Sequence, residues 1–192
     1  MSNGTQTLTK RPDLVPVGAF TYPVKDPQQT RWFGFLLLPQ FTLLAFSAAL
    51  DPLRIANQLA QKPLYGWLVY SPDGAPVSSS SGIDIGVHAS LEDLKPDTYL
   101  FACSGNNGSS VASNDVLAHI RRHVRFGGDV GGICTGAATL ARAGLLAGKN
   151  LRSIGKTSPV LARSSQSFHQ HPNGSRKTAS FSPAVAALRP LK

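Results

Sequence analysis

Apolar residues along this chain come in short unbroken runs separated by stretches of helical period. Phe33 to Leu38 is one such run, closed by Pro39. Short, apolar on both faces and stopped by proline, it predicts a central parallel strand. Leu43, Phe46, Leu50, Leu53, Ile55 and Leu59 then keep a helical spacing to about Gln61, interrupted by Pro52. That proline predicts a kink, or a second helix with Asp51 as its N-cap and Pro52 in its first turn. Tyr65 to Tyr70 is the next strand, and Ser71 to Gly74 a turn. Val77 and the Ile83–Ile85 alternation predict a short hairpin or edge strands. Thr98 to Cys103 is a further buried strand, followed by a loop from Ser104 to Gly108. Ser113 or Asn114 caps a helix to about Phe126, with Val116, Leu117, Ile120 and Val124 inward. Its outer face is read as His119, Arg121, Arg122, His123 and Arg125. Gly127 and Gly128 end it. Asp129 to Ile133 is a fourth core strand, and the turn Cys134–Gly136 leads into a helix from Ala137 to Ala143.

Strands alternating with helices predict an α/β fold: a flavodoxin-like, doubly wound, mostly parallel sheet. Ligands in such sheets bind beyond the carboxyl ends of the strands. That rule points at Pro39–Phe41, Cys103–Asn107 and Cys134–Gly136. Residues 1–31, punctuated by Pro12, Pro16, Pro23 and Pro27, read as a flexible N-terminal extension, and residues 32–150 as the folded domain.

Charge alters the picture only at the end of the chain. The net charge is +9, and residues 151–192 hold seven basic side chains and no acidic one. The first 150 residues carry a net of only +2. Eight serines, four prolines and no sustained period make residues 151–192 a basic, Ser/Pro-rich tail, read alone as disordered. A basic tail admits a nucleic-acid binder acting through phosphates. The Arg121, Arg122 and Arg125 cluster reads either as a phosphate contact or as a solvated helix face. Two cysteines far apart make no disulfide framework, which fits a reduced, cytoplasmic setting. No run is long enough to span a membrane. Neither a metal-ligand spacing nor a phosphate-binding glycine loop is present, so no cofactor is expected.

The most chemical position is Cys134. Strand, glycine-flanked turn and helix are the context of a nucleophile elbow. A thiol there faces the positive end of a helix, which favours thiolate. Catalysis would need a base within reach, and Thr135 rather than histidine follows the cysteine. Three readings stay open: a catalytic thiol, a binding or redox-sensitive thiol, or a small structural residue. Ser104, Gly105 and Asn106 form either a pocket wall or a simple loop. Asp51 reads as a ligand or dimer contact, or as a cap.

The strand from Phe35 to Pro39, the stretch Ala49–Asn57, the block Tyr65–Gly86 and the run Gly132–Lys149 resemble the N-terminal domain of GlxA-type AraC/XylS transcriptional regulators. These belong to the DJ-1/PfpI, or class I glutamine amidotransferase-like, superfamily. The resemblance covers about 120 of 192 residues. It implies a sensor for a small-molecule effector such as an amino acid or quaternary amine, in a homodimer. Cys134, Thr135, Ser104, Gly105, Asn106 and Asp51 are then the ligand-binding candidates. It places DNA binding in a C-terminal helix-turn-helix pair, and nothing after residue 150 resembles one. This chain alone is therefore expected not to bind a DNA sequence. Catalytic members of the superfamily pair the elbow cysteine with histidine and with an acid in the loop after the first strand. Here that loop is Gln40, Phe41 and Thr42, so no catalysis is expected. The alternative is a small cysteine hydrolase or glyoxalase using Cys134.

The resemblance also bears on the tail. In the family, the Gly-Leu-Leu-Ala-Gly-Lys run is followed by a His-Trp-Glu motif, whereas Leu151 to Ser158 follow here. Codons permitted for Arg152 to Ser158 include CGA TCC ATT GGG AAA ACC AGT. Read from the last base of the first codon, they spell Ile-His-Trp-Glu-Asn-Gln. Residues from about Asn150 onward are therefore expected to be read out of frame, which would leave the sheet incomplete at its C-terminus. A genuine basic tail is the alternative. Sequencing the gene through and beyond the codons for Leu145 to Lys192 should reveal the motif in the shifted frame. A closed shifted frame without it would overturn the expectation.

Overall fold

The computed structural model describes residues 14–18, 21–22, 29–108 and 110–146, and the backbone of the strand Val185–Leu188. The elements run β1 (Arg31–Leu37), α1 (Leu43–Ala60), β2 (Tyr65–Ser71), β3 (Val77–Ser78), β4 (Asp84–Ile85), β5 (Ala89–Ser90), a 3₁₀ turn at Leu91–Asp93, β6 (Tyr99–Ser104), α2 (Asn114–Arg125), β7 (Val130–Cys134), α3 (Gly136–Arg142) and β8 (Val185–Leu188). The main sheet has the order β5-β2-β1-β6-β7-β8. Its pairings are parallel except β7 with β8. From β1 the chain winds outward through β2 to β5, then returns past β1 to β6 and β7. This is the doubly wound, mostly parallel sheet expected, and it places a crevice at the carboxyl ends of β1 and β6.

The apolar run in β1 is buried on both faces because side chains alternate across a strand. Leu36 and Leu38 join Tyr70, Leu100, Val116, Leu117, Ile120 and Leu140 in one core. Phe35 and Leu37 join Phe41, Phe46, Trp67, Val69 and Ile133 in the other. Helices α2 and α3 thus cover one face, and α1 the other. No helix among the described residues is long and apolar enough to cross a membrane.

Two local expectations change. Helix α1 runs unbroken through Pro52, with Thr42 as its N-cap. Pro52 removes the bond that would reach the Ala48 carbonyl, but Phe46, Leu50, Leu53 and Asn57 keep one face packed across it. Burial of that face carries the helix through a single lost bond. Asp51 is therefore mid-helix, not a cap, and pairs with Arg54 at 3.2 Å. Within α2, His123 is not on the solvated face but buried. Its Nε2 lies 2.9 Å from the Thr98 carbonyl oxygen, pinning the end of α2 to the start of β6.

Asn57 does the same for α1. Fully buried, its carboxamide accepts from the Tyr65 N–H at 2.9 Å and donates to the Tyr65 and Leu14 carbonyls at 2.7 and 2.8 Å. Leu14 belongs to the segment read as an extension, and Gln61 donates to the Pro16 carbonyl beside it. The readings placed on residues 1–13, 19–20, 23–28, 147–184 and 189–192 lie outside the described residues, whereas Val185–Leu188, within the tail read as disordered, form β8 antiparallel to β7.

His88 and His123 both have pKa values lowered from the usual histidine range, chiefly by burial. The bond His123 makes to the Thr98 carbonyl opposes its shift only in part. A histidine held neutral in the fold protonates more readily in the unfolded chain. Its stabilisation is complete above the unfolded pKa of about 6.5 and is lost as pH falls below it. The urea midpoint should therefore fall between about pH 7 and pH 5, and His123→Gln should flatten that fall. A midpoint constant over this range would contradict the assignment.

Candidate functional site

Three loops meet at the carboxyl edge of the sheet. They follow β1 (residues 38–42), β6 (residues 104–112) and β7 (residues 134–136), and the turn between β3 and β4 comes in beside them. Phe41 is the knot: it forms bridges to both Ser79 and Gly105. The Gln40 N–H donates to the Ser78 carbonyl at 2.9 Å, and the Ser80 N–H to the Phe41 carbonyl at 2.8 Å. Backbone approaches so closely that a Cβ on Gly105 would strike the Gln40 carbonyl oxygen, and one on Gly136 the Ala102 carbonyl oxygen. Glycine is needed at both positions for lack of room.

Cys134 stands at the tip of the β7–α3 turn with φ of 56°, a left-handed conformation uncommon for any residue with a side chain. Such strain persists only where the surroundings impose it. It turns the thiol outward, and Cys134 is exposed. The hydrogen-bond neighbour of its Sγ is Thr42 Oγ1, at 3.4 Å. Thr42 begins α1 but makes no side-chain cap bond, so its hydroxyl is directed to the thiol. Cys103, one strand away, is buried, with its thiol pushed well up by burial and, to a lesser degree, by Cys134. The two cysteines are free.

Thr135 faces inward. Its hydroxyl donates to the Gly105 carbonyl at 2.6 Å and lies 2.8 Å from Ser104 Oγ. With its proton committed to Gly105, Thr135 accepts from Ser104. One turn on, Thr139 donates to the Gly108 carbonyl at 3.2 Å, and Arg142 to the Ala112 carbonyl at 2.8 Å. Positions 135, 139 and 142 share one helix face. That face laces the β6–α2 loop to α3.

Of the candidates read from the sequence, the structure brings Cys134, Thr135, Ser104 and Gly105 together. Ser104 is buried and engaged with Thr135, so it supports the wall. Asn106 is exposed on the same loop. Asp51 lies nine residues beyond Thr42 on α1, about 13 Å along the axis. Sequence reasoning missed Thr42, although the rule about carboxyl ends stopped one residue short of it. It also missed Ser79–Ser81, which reach the site only through the bridge to Phe41.

No histidine among the described residues serves as a base for the thiol. His123 is bonded to Thr98 at the opposite end of the strands. His88 accepts from the Val69 N–H at 2.9 Å, beside β2. The order of strands puts β2 three spacings from β7, about 14 Å. His119 is bonded to the Asp115 carbonyl on α2. The loops at 38–42, 79–81, 104–108 and 134–136 carry no charged side chain. No group of three or more metal-ligating side chains occurs among the described residues.

The DJ-1/PfpI family matches residues 58–171. The HTH-type transcriptional regulator CdhR of Pseudomonas aeruginosa is 40% identical over 117 residues, covering 61% of this chain and 34% of that protein. The HTH-type transcriptional regulator GlxA of Rhizobium meliloti is 36% identical over 138 residues, 71% of this chain and 42% of that protein. The chain thus spans between a third and a half of the length of these relatives. An AraC family transcriptional regulator from Pseudomonas putida superposes with a TM-score of 0.65 at 25% identity, covering 74% of this chain and 76% of that one. DJ-1beta of Drosophila melanogaster shares the fold, with a TM-score of 0.60 over 83% of this chain and 82% of that one at 22% identity.

Thr135→Val keeps the shape but removes both hydroxyl bonds and strands the buried Ser104 hydroxyl. It should lower the free energy of unfolding by about 1–3 kcal/mol. Asp51→Asn, at the surface, should change it by less than about 0.5 kcal/mol. Equal denaturation midpoints for Thr135→Val and the parent would contradict the lacing.

Proposed function

The chain belongs to the DJ-1/PfpI family, and from that premise we propose that its described domain senses a small-molecule effector for an AraC-family transcriptional regulator and turns over no substrate. The carrying observation is the setting of Cys134. An elbow that could present a nucleophile has a threonine hydroxyl as its neighbour and, among the described residues, no base. A thiol nucleophile works through proton transfer to a partner such as histidine, held in place by a third group. Here the following residue, Thr135, is consumed in holding the adjoining loop. What remains is a neutral crevice with exposed Cys134 and hydroxyls at Thr42, Ser80 and Ser81, suited to binding.

The named relatives are HTH-type transcriptional regulators, which supports reading this domain as the effector-binding part of such a protein. On this reading the effector is an amino acid or quaternary amine, and the working unit is a cytoplasmic homodimer. The chain itself reads no DNA sequence, and residues after about Asn150 are out of frame. The second reading, a cysteine hydrolase or glyoxalase, is favoured only by the elbow itself, with Cys134 exposed at positive φ.

Thermal unfolding of the chain should be scanned against amino acids and quaternary amines, in parallel with esterase, peptidase and glyoxalase assays. A cognate effector at about a hundred times its Kd should add about 2.7 kcal/mol of stability, a rise in Tm of several degrees. No turnover should be lost on Cys134→Ser. Turnover that disappears in Cys134→Ser would overturn the sensor reading in favour of the enzyme.

A further inference from the structure

The end of the molecule opposite Cys134 carries a second concavity. It lies between the 3₁₀ turn region, residues 91–96, and the last turns of α2. Its volume is about 150 Å³, and Leu91, Leu94, Pro96 and Phe126 supply its apolar lining, with Arg122 and His119 on the helix side. Phe126 closes α2 and is 68% exposed, an unusual position for a ring of that size. It is not loose: the Arg125 guanidinium sits over it at 5.6 Å from the centroid. Beneath it, the bond from His123 to Thr98 fixes the end of α2 against the sheet. The groove is therefore preformed.

The helix side of the groove is basic. Arg121, Arg122 and Arg125 are exposed along α2. The ion pair found among the described residues, Arg54 to Asp51, lies on α1. On the facing wall Asp93 is drawn into the Ser90 cap, leaving Glu92 as the acid that lines the groove. An apolar floor beside exposed guanidinium groups suits a ligand with a hydrophobic anchor and carboxylates close to it. A nucleic-acid backbone fits less well, since Glu92 would face its phosphates and Leu91, Leu94 and Pro96 offer it nothing.

We propose that this groove docks an acidic polypeptide segment with an apolar anchor. The anchor enters between Leu94 and Phe126, and flanking carboxylates meet Arg122 and Arg125. The site is separate from the effector crevice and stands whether or not that reading holds.

The test is fluorescence anisotropy of the full chain at physiological salt with a labelled peptide, Asp-Glu-Leu-Asp-Asp-Phe-Glu-Glu-Leu. The comparison probes are the same peptide with its acids replaced by lysine, the same peptide with its apolar residues replaced by alanine, and a labelled single-stranded oligonucleotide. The acidic, apolar peptide should bind and the two altered peptides should not. Arg122→Glu should weaken binding about tenfold or more, and Phe126→Ala comparably. Arg31→Glu, an equal charge reversal on β1, should leave it unchanged. Both groove positions are exposed, so folding is retained, and far-UV circular dichroism checks it. Absence of peptide binding, equal weakening by Arg31→Glu, or binding of the oligonucleotide in its place would each overturn the proposal.

Discussion

Backbone crowds against backbone at the carboxyl edge of this sheet, and the site depends on that crowding. Phe41 bridges Ser79 on one side and Gly105 on the other. Gly105 passes the Gln40 carbonyl, and Gly136 passes the Ala102 carbonyl, too closely to admit a side chain. Strands this close force the β7–α3 turn to be tight, and the turn absorbs the constraint at Cys134, φ 56°. The thiol projects because the backbone beneath it has nowhere else to go. The hydroxyls of Thr135 and Thr139 then hold the β6–α2 loop in place.

The chemistry follows from what surrounds the projected thiol. Thr42 is its hydrogen-bond neighbour, and the loops that meet there carry no charged side chain. Each histidine described serves the scaffold or the helix surface instead. His88 ties its segment to β2, and His123 ties α2 to β6. Among the described residues the strained thiol has a threonine hydroxyl, and no histidine, as its hydrogen-bond neighbour. Polar side chains in this fold are thus divided between a neutral crevice at one end of the strands and a cationic, partly apolar surface at the other.

Much of the fold was legible in the sequence because it rests on strong local signals. The unbroken run at Phe33–Leu38, the glycines around Cys134 and the Ser113 cap each encode one element with little ambiguity. The site was legible in part. Cys134, Thr135, Ser104 and Gly105 sit at strand ends, where the topology alone predicts a ligand. Thr42 and Ser79–Ser81 were not, because their approach depends on tertiary bridges that no periodicity records. Pro52 misled because propensity marks a helix break, whereas burial of the Phe46–Asn57 face overrides it. His123 misled because a helix face rich in arginine hides one inward histidine. The tail from about Asn150 remains a reading of codons and composition.

The proposed sensor role puts Cys134 within an effector crevice as a binding residue. The most direct measurement is the rate of its alkylation by iodoacetamide, followed by intact mass, with and without a saturating effector. Buried Cys103 provides the unreactive reference within the same chain. Cys134 should react readily in the free protein and at least about tenfold more slowly when the effector is bound, with the thiol recovered intact on its removal. An alkylation rate indifferent to a bound effector would place the binding site elsewhere and overturn the binding role of Cys134.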